Sequence, residues 1–252
     1  MARHLEDAES DLEKEAYWTE YSSFKYVLLS YIIEYASDSD MHFIIMVQGG
    51  KSRQILERYL LGKGFAYTNA RKTAGGVGSN VEVSLQKESL SFGIRSTQDA
   101  GTGEAYKRPS VLIAFDSTLN VKSPSVEHFR TTYARDGNLL PVIHLLISKS
   151  SEHIVRCFSG LSEHERLHLV IGCVFRYRDV VGETQESLEV NEIAEEIVGW
   201  LLSDNLLASW PIPAIESLQI SGPSGHSSSN AQRPDDLRSP QKRPSVSFLQ
   251  SF

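Results

Sequence analysis

HFIIMVQGGKSRQILERYLLGKGFAYT, His42 to Thr68, begins with a continuous apolar run, Phe43–Val47. That run is short enough for a buried strand and suits a parallel sheet. Gly49-Gly50 permits a sharp turn. Ile55, Leu56, Tyr59 and Leu60 then recur at helical spacing, and Gly62 and Gly64 supply the glycines that end helices. The chain turns back toward another strand at Ala66. VLIAFDS (Val111–Ser117) and PVIHLLIS (Pro141–Ser148) are further buried-strand runs, separated by a helix-like stretch. Together they predict an α/β fold built on a parallel sheet.

Upstream, Phe24, Val27, Leu28, Tyr31, Ile32 and Tyr35 lie on one helical face, which Ser37–Asp40 closes. Residues 1–21 are acidic and polar and are expected to lack fixed structure. Downstream, residues 69–80 read as a glycine-rich loop. Val81, Val83 and Leu85, then Leu90, Phe92 and Ile94, alternate as in short strands. Residues 97–108 read as loop. Ser123-Pro124 has the form of an N-cap with proline at the first helical position, with Val126, Phe129 and Tyr133 facing inward. After about residue 158 the pattern becomes helical. Ser162 and Glu165 have capping-box spacing, followed by Leu167, Val170, Ile171 and Val174 at helical period. A second helix spans about Glu186–Ser203, with Ile193, Ile197, Trp200 and Leu201 inward, and Trp210-Pro-Ile-Pro213 stops it. The expected organisation is an α/β domain over 22–158, a helical extension packed on it over 159–215, and a Ser/Pro-rich tail over 216–252. That tail is too poor in large apolar groups to offset its ordering entropy, and is read as disordered.

The 252 residues are 40% hydrophobic, enough for a sizeable core. The two cysteines, Cys157 and Cys173, have apolar neighbours and no metal-ligand spacing, so buried free thiols in a reducing compartment are expected. MARHLEDAES has no apolar centre and does not read as a secretory signal, and no apolar run approaches a membrane span. An intracellular protein with no membrane partner is expected. The net charge of -7 opposes nonspecific DNA binding by the chain as a whole. Its distribution is uneven. Residues 41–110 hold ten Lys/Arg and five Asp/Glu, residues 151–220 four and twelve, and residues 1–40 three and ten. The basic middle can focus a field on an anion, or be ordinary solvated charge.

Local motifs argue against catalysis. Gly50-Lys51-Ser52 resembles the end of a phosphate-binding loop, which needs a glycine five residues earlier. Ile45 stands there, inside the strand. Gly75-Gly76-Val77-Gly78 opens no clear helix and reads as a connection. His144 lies in an apolar strand as a core or edge histidine. His164-Glu165-Arg-Leu-His168 fits the letter of a zinc-hydrolase helix, but Glu165 is more economically the capping residue and no third ligand follows at the usual spacing. Asp116 is a lone acid at a strand end, suited to hydrogen bonding there. No nucleophilic triad has local support, and neither a cofactor nor a metal is expected.

From Phe24 to Arg156 the order of segments resembles the C-terminal lobe of Swi/Snf-type helicase-like ATPases. The carriers are FIIMVQ, RQILERYLLGKG, LSFGIRS, VLIAFDSTLNVKS and PVIHLLISKSSEHIV. The resemblance implies a three-layer, RecA-like parallel sheet. The motor's nucleotide-contacting arginines and its glycine-rich loop have no counterpart in Phe129-Arg130-Thr-Thr-Tyr-Ala-Arg135-Asp-Gly-Asn or in Ile94-Arg95-Ser-Thr-Gln-Asp-Ala-Gly, so ATP hydrolysis is not expected. Such a degenerate lobe, followed by Arg178-Asp179-Val-Val-Gly182 and Trp210-Pro-Ile-Pro213, is similar to the fungal class II histone deacetylase complex subunits 2 and 3 over about residues 20–215. That resemblance implies a non-catalytic nuclear subunit that helps hold a histone deacetylase on chromatin in transcriptional silencing. Its partners would be the other complex subunits and duplex DNA. It also implies a first lobe before this region and a coiled coil after it, so a shortened relative or a fragment is expected. Lys51, Arg53, Arg71, Lys72 and Arg95, on or beside loops at sheet ends, are the candidate phosphate contacts. The alternative is a pure interaction scaffold in which DNA plays no part.

Overall fold

The computed structural model describes residues 11–71, 80–85, 89–97, 105–181, 190–203, 215 and 246–251. Four strands run parallel: β1 (His42–Val47), β4 (Ser91–Ser96), β5 (Val111–Ala114) and β6 (Val142–Ile147). With β2 (Ala66–Arg71), β3 (Asn80–Ser84) and β7 (Val246–Ser251) they form one seven-stranded sheet in the order β2-β3-β4-β1-β5-β6-β7. β2, β3 and β7 join by antiparallel pairing. Ile45 registers with Ile113, and Ile113 with Ile143, so the three apolar runs picked out in the sequence lie side by side.

The helices are α1 (Asp11–Ser22), α2 (Phe24–Ala36), α3 (Lys51–Gly62), α4 (Pro124–Thr132), α5 (Ser151–Cys157), α6 (Glu163–Tyr177) and α7 (Val190–Leu202). Successive strand side chains point to opposite faces, and helices cover both faces here. Phe43, Ile45 and Val47 pack with Leu28, Ile32, Leu56, Tyr59 and Ile197. Ile44 and Met46 pack with Leu112, Val126, Phe129 and Leu140. Strands covered on both sides read as unbroken apolar runs, which is why β1, β5 and β6 were visible in the sequence. A smaller cluster of Ile154, Cys173 and Tyr177, with Ile215 against it, joins α6 to α5. None of the described helices is long and apolar enough to cross a membrane.

Two expectations need correction. Residues 11–21, expected to lack fixed structure, lie in α1, which docks on α3 through buried Ala16. Contact is close because Gly62 presents no side chain: a Cβ there would lie 2.2 Å from the Leu12 carbonyl oxygen. In the tail, residues 246–251 pair with the otherwise open edge of β6, whose backbone groups are a ready template for another strand. The inward face of α6 is Cys173 and Tyr177 with Val170 beside them, whereas Leu167, Ile171 and Val174 are exposed. This helix carries apolar groups on two stripes, and α5 covers one of them. Ile55 and Tyr35, at helical spacing with buried neighbours, are also exposed.

Candidate nucleic-acid interface

The carboxyl ends of the parallel strands define the site. From β1 the chain crosses one face of the sheet through α3, and from β5 it crosses the other through α4. β1 and β5 are neighbours, so the crevice beyond their ends is a topological switch point, where open α/β sheets place ligands. The β1–α3 connection, Gln48–Gly50, is fixed there. The Gln48 N–H donates to Asp116 Oδ2 at 2.5 Å, and the Thr118 N–H donates to Asp116 Oδ1 at 2.9 Å. The Thr118 hydroxyl also donates to Asp116 and lies 2.9 Å from Thr97 Oγ1. The carboxylate thus ties together the ends of β1, β4 and β5, the hydrogen-bonding role expected of it. Gly50 adopts φ 78°, a left-handed conformation that a glycine takes without strain.

Lys51 opens α3 and is exposed, and Arg53 stands in the same first turn, half-buried. β2 runs antiparallel to β3 and β3 antiparallel to β4, so β2 shares the direction of β1. Arg71 ends β2 and therefore lies at the same edge of the sheet as Lys51 and Arg53. Three strand spacings separate β2 from β1, about 14 Å. Lys72 lies outside the described residues. The fold thus brings three of the five candidates to one edge.

Arg95 is a correction: it is 1% exposed and cannot reach a phosphate. Its Nη2 lies 3.9 Å from Glu82 Oε1, and its guanidinium stacks 4.9 Å over the Phe129 ring. Burial lowers its pKa, with Glu82 acting in the opposite direction. The other Glu82 oxygen lies 3.2 Å from His42 Nε2, and His42 Nδ1 lies 2.9 Å from Ser91 Oγ. Arg95 therefore belongs to a charged cluster inside the fold.

The sequence reading also missed a groove of about 620 Å³ at the switch point, whose lining includes Trp18, Lys25, Tyr26, Ile55, Phe115 and Asp116. Lys25 is almost wholly buried. Its Nζ donates to the Phe115 carbonyl at 2.7 Å and pairs with Glu152 at 2.5 Å, linking α2 to α5 across the sheet end. A lysine next to Phe24 in an apolar helical run was the available signal.

His164 and His168 face solvent on α6 with ring centroids 4.8 Å apart. The Ser162 hydroxyl donates to Glu165 Oε2 at 2.5 Å, and the Ser162 N–H donates to the same oxygen at 3.3 Å. These bonds hold the Glu165 carboxyl below its ordinary pKa. Glu165 is a capping residue, as its spacing suggested. At the switch point, Ile45 is fully buried within β1, and the connection after it is too short to wrap a phosphate.

The family model for class II histone deacetylase complex subunits 2 and 3 matches residues 1–201. The chain belongs to that family. A solved chain from structural and functional studies of the yeast class II Hda1 HDAC complex superposes with a TM-score of 0.56 at 19% identity. The match covers 77% of the present chain and 65% of the yeast chain, so this chain spans less than two thirds of that one. At that identity the likeness concerns the fold. No curated protein sequence matches the chain. All the candidate contacts at the sheet edge, and the groove beside them, fall within the residues that match the class II complex subunit family.

Proposed function

We propose that this chain acts as a non-catalytic subunit of a class II histone deacetylase complex in the nucleus and helps hold the complex on chromatin in silencing. In this reading the α/β unit is a RecA-like lobe of helicase type that no longer handles nucleotide. The observation that carries the proposal is family membership across 1–201. Two features of the fold support it. The short Gln48–Gly50 connection is unsuited to gripping phosphates in the motor manner, and Lys51, Arg53 and Arg71 share one sheet edge. Basic residues at one edge give weak, salt-sensitive, sequence-independent attraction to a phosphate backbone.

The test is duplex-DNA binding by fluorescence anisotropy at two salt concentrations. Paired charge reversals, Lys51→Glu with Arg53→Glu and Arg71→Glu with Lys72→Glu, should each weaken binding across sequences. Each should also reduce the salt slope by about one to two contacts. Affinity unchanged at low salt would overturn the DNA-holding role. A second reading, a scaffold independent of DNA, is favoured by one specific observation: α6 exposes Leu167, Ile171, Val174 and Phe175 on neighbouring turns, a face suited to a partner helix.

A further inference from the structure

The HERLH turn of α6 carries a feature that neither the capping of its helix nor the proposed function uses. His164 and His168 are four residues apart, hence neighbours one above the other on the helix surface. Both are exposed, and their rings meet edge to face at 83° with centroids 4.8 Å apart. Two imidazoles so placed can each turn a ring nitrogen toward one point in solvent, and neutral imidazole is a preferred ligand of zinc, nickel and copper. The glutamate between them is engaged elsewhere, its Oε2 held by the Ser162 hydroxyl and N–H. No group of three or more His, Cys, Asp or Glu placed to hold a metal occurs among the described residues. The arrangement therefore differs from a hydrolytic zinc centre, which takes three protein ligands and a carboxylate aimed at the bound water.

We propose that His164 and His168 form a two-ligand surface chelate for a borderline divalent transition metal, with copper(II) bound most tightly and nickel(II) and zinc(II) more weakly. The remaining coordination positions open to water. Because the two nitrogens converge only while residues 164–168 are helical, the metal also clamps the first turns of α6.

Isothermal titration of the full chain with nickel(II), zinc(II) or copper(II) salts tests this. The wild-type chain should bind one ion, and His164→Ala or His168→Ala should each weaken binding about a hundredfold, the scale of losing one of two linked ligands. Glu165→Gln should bind as the wild type does. Both histidines are exposed, so circular dichroism should show each variant folded. Absence of binding by the wild-type chain, or equal binding by the single-histidine variants, would overturn the proposal. So would a loss in Glu165→Gln as large as in the histidine variants, which would make the glutamate a third ligand.

Discussion

Gly93 has no room for a side chain. A Cβ there would lie 2.6 Å from Glu82 Oε2 and 2.6 Å from Ile44 Cδ1. The glycine lets the Glu82 carboxylate, buried between His42 and Arg95, lie flat against the sheet. Gly93→Ala should therefore force both the carboxylate and Ile44 aside and lower stability by about 1–3 kcal/mol in urea denaturation, the usual scale of overpacking. An unchanged midpoint would mean that the cluster yields without cost. The same few residues show what a sequence can conceal. In LSFGIRS the apolar alternation of Leu90, Phe92 and Ile94 was legible, and it put Ser91, Gly93 and Arg95 on the opposite face. Nothing in the strand itself says whether that face is wet. It is covered by α4 and Phe129, and only the tertiary packing of a segment more than thirty residues away decides that. Asp116 was legible for the converse reason: its partners are backbone N–H groups at the strand end where it stands.

α1 owes its existence to contacts rather than to its own pattern. Its apolar residues are few, and among them Trp18 and Tyr21 remain exposed, stacked edge to face at 5.8 Å. What holds the helix is the close seat of Leu12 and Ala16 on Gly62, flanked by the Arg58–Glu15 and Lys63–Glu20 ion pairs. A short isolated helix is marginal in water, so an acidic, weakly periodic stretch gave no reason to expect one. Gly62→Ala should place its methyl against the Leu12 backbone and lever α1 off α3. Faster amide hydrogen exchange confined to 11–22 would report this, with β1 and β5 still protected. Exchange unchanged in α1 would show that the helices can separate slightly without loss. The Arg58–Glu15 pair adds little by comparison. Arg58 and Glu15 are about half exposed, where water screens their attraction. β7 escaped for a related reason: one strand of Val246–Ser251 is defined by the open edge of β6 that receives it.

At the scale of the molecule, the run of strands and helices was legible because buried strands and amphipathic helices have different periods. The order of strands was not, since nothing local says that β4 rather than β2 lies beside β1. That order brings β6 against β5 and sets His144 inside the fold, 3.4 Å from Arg156 Nη2. Burial, then Arg156 and Arg130, pushes the His144 imidazole down from 6.5 to about 4. The folded chain therefore keeps this histidine neutral over a range in which the unfolded chain protonates it. Below pH 6.5 the unfolded state binds the extra proton, so stability falls as the pH drops from about 6.5 and the loss levels off below about 4. The full effect is of order 3 kcal/mol. Glu15 and Glu165 have pKa values held below 4.5 by Arg58 and Ser162, so their own contributions are lost only at lower pH. Urea midpoints between pH 6.5 and 4.5 should consequently decline in the wild-type chain and decline less in His144→Asn. Equal slopes would mean that His144 takes up its proton in the folded state as readily as in the unfolded one, and that acid sensitivity arises elsewhere in the sheet.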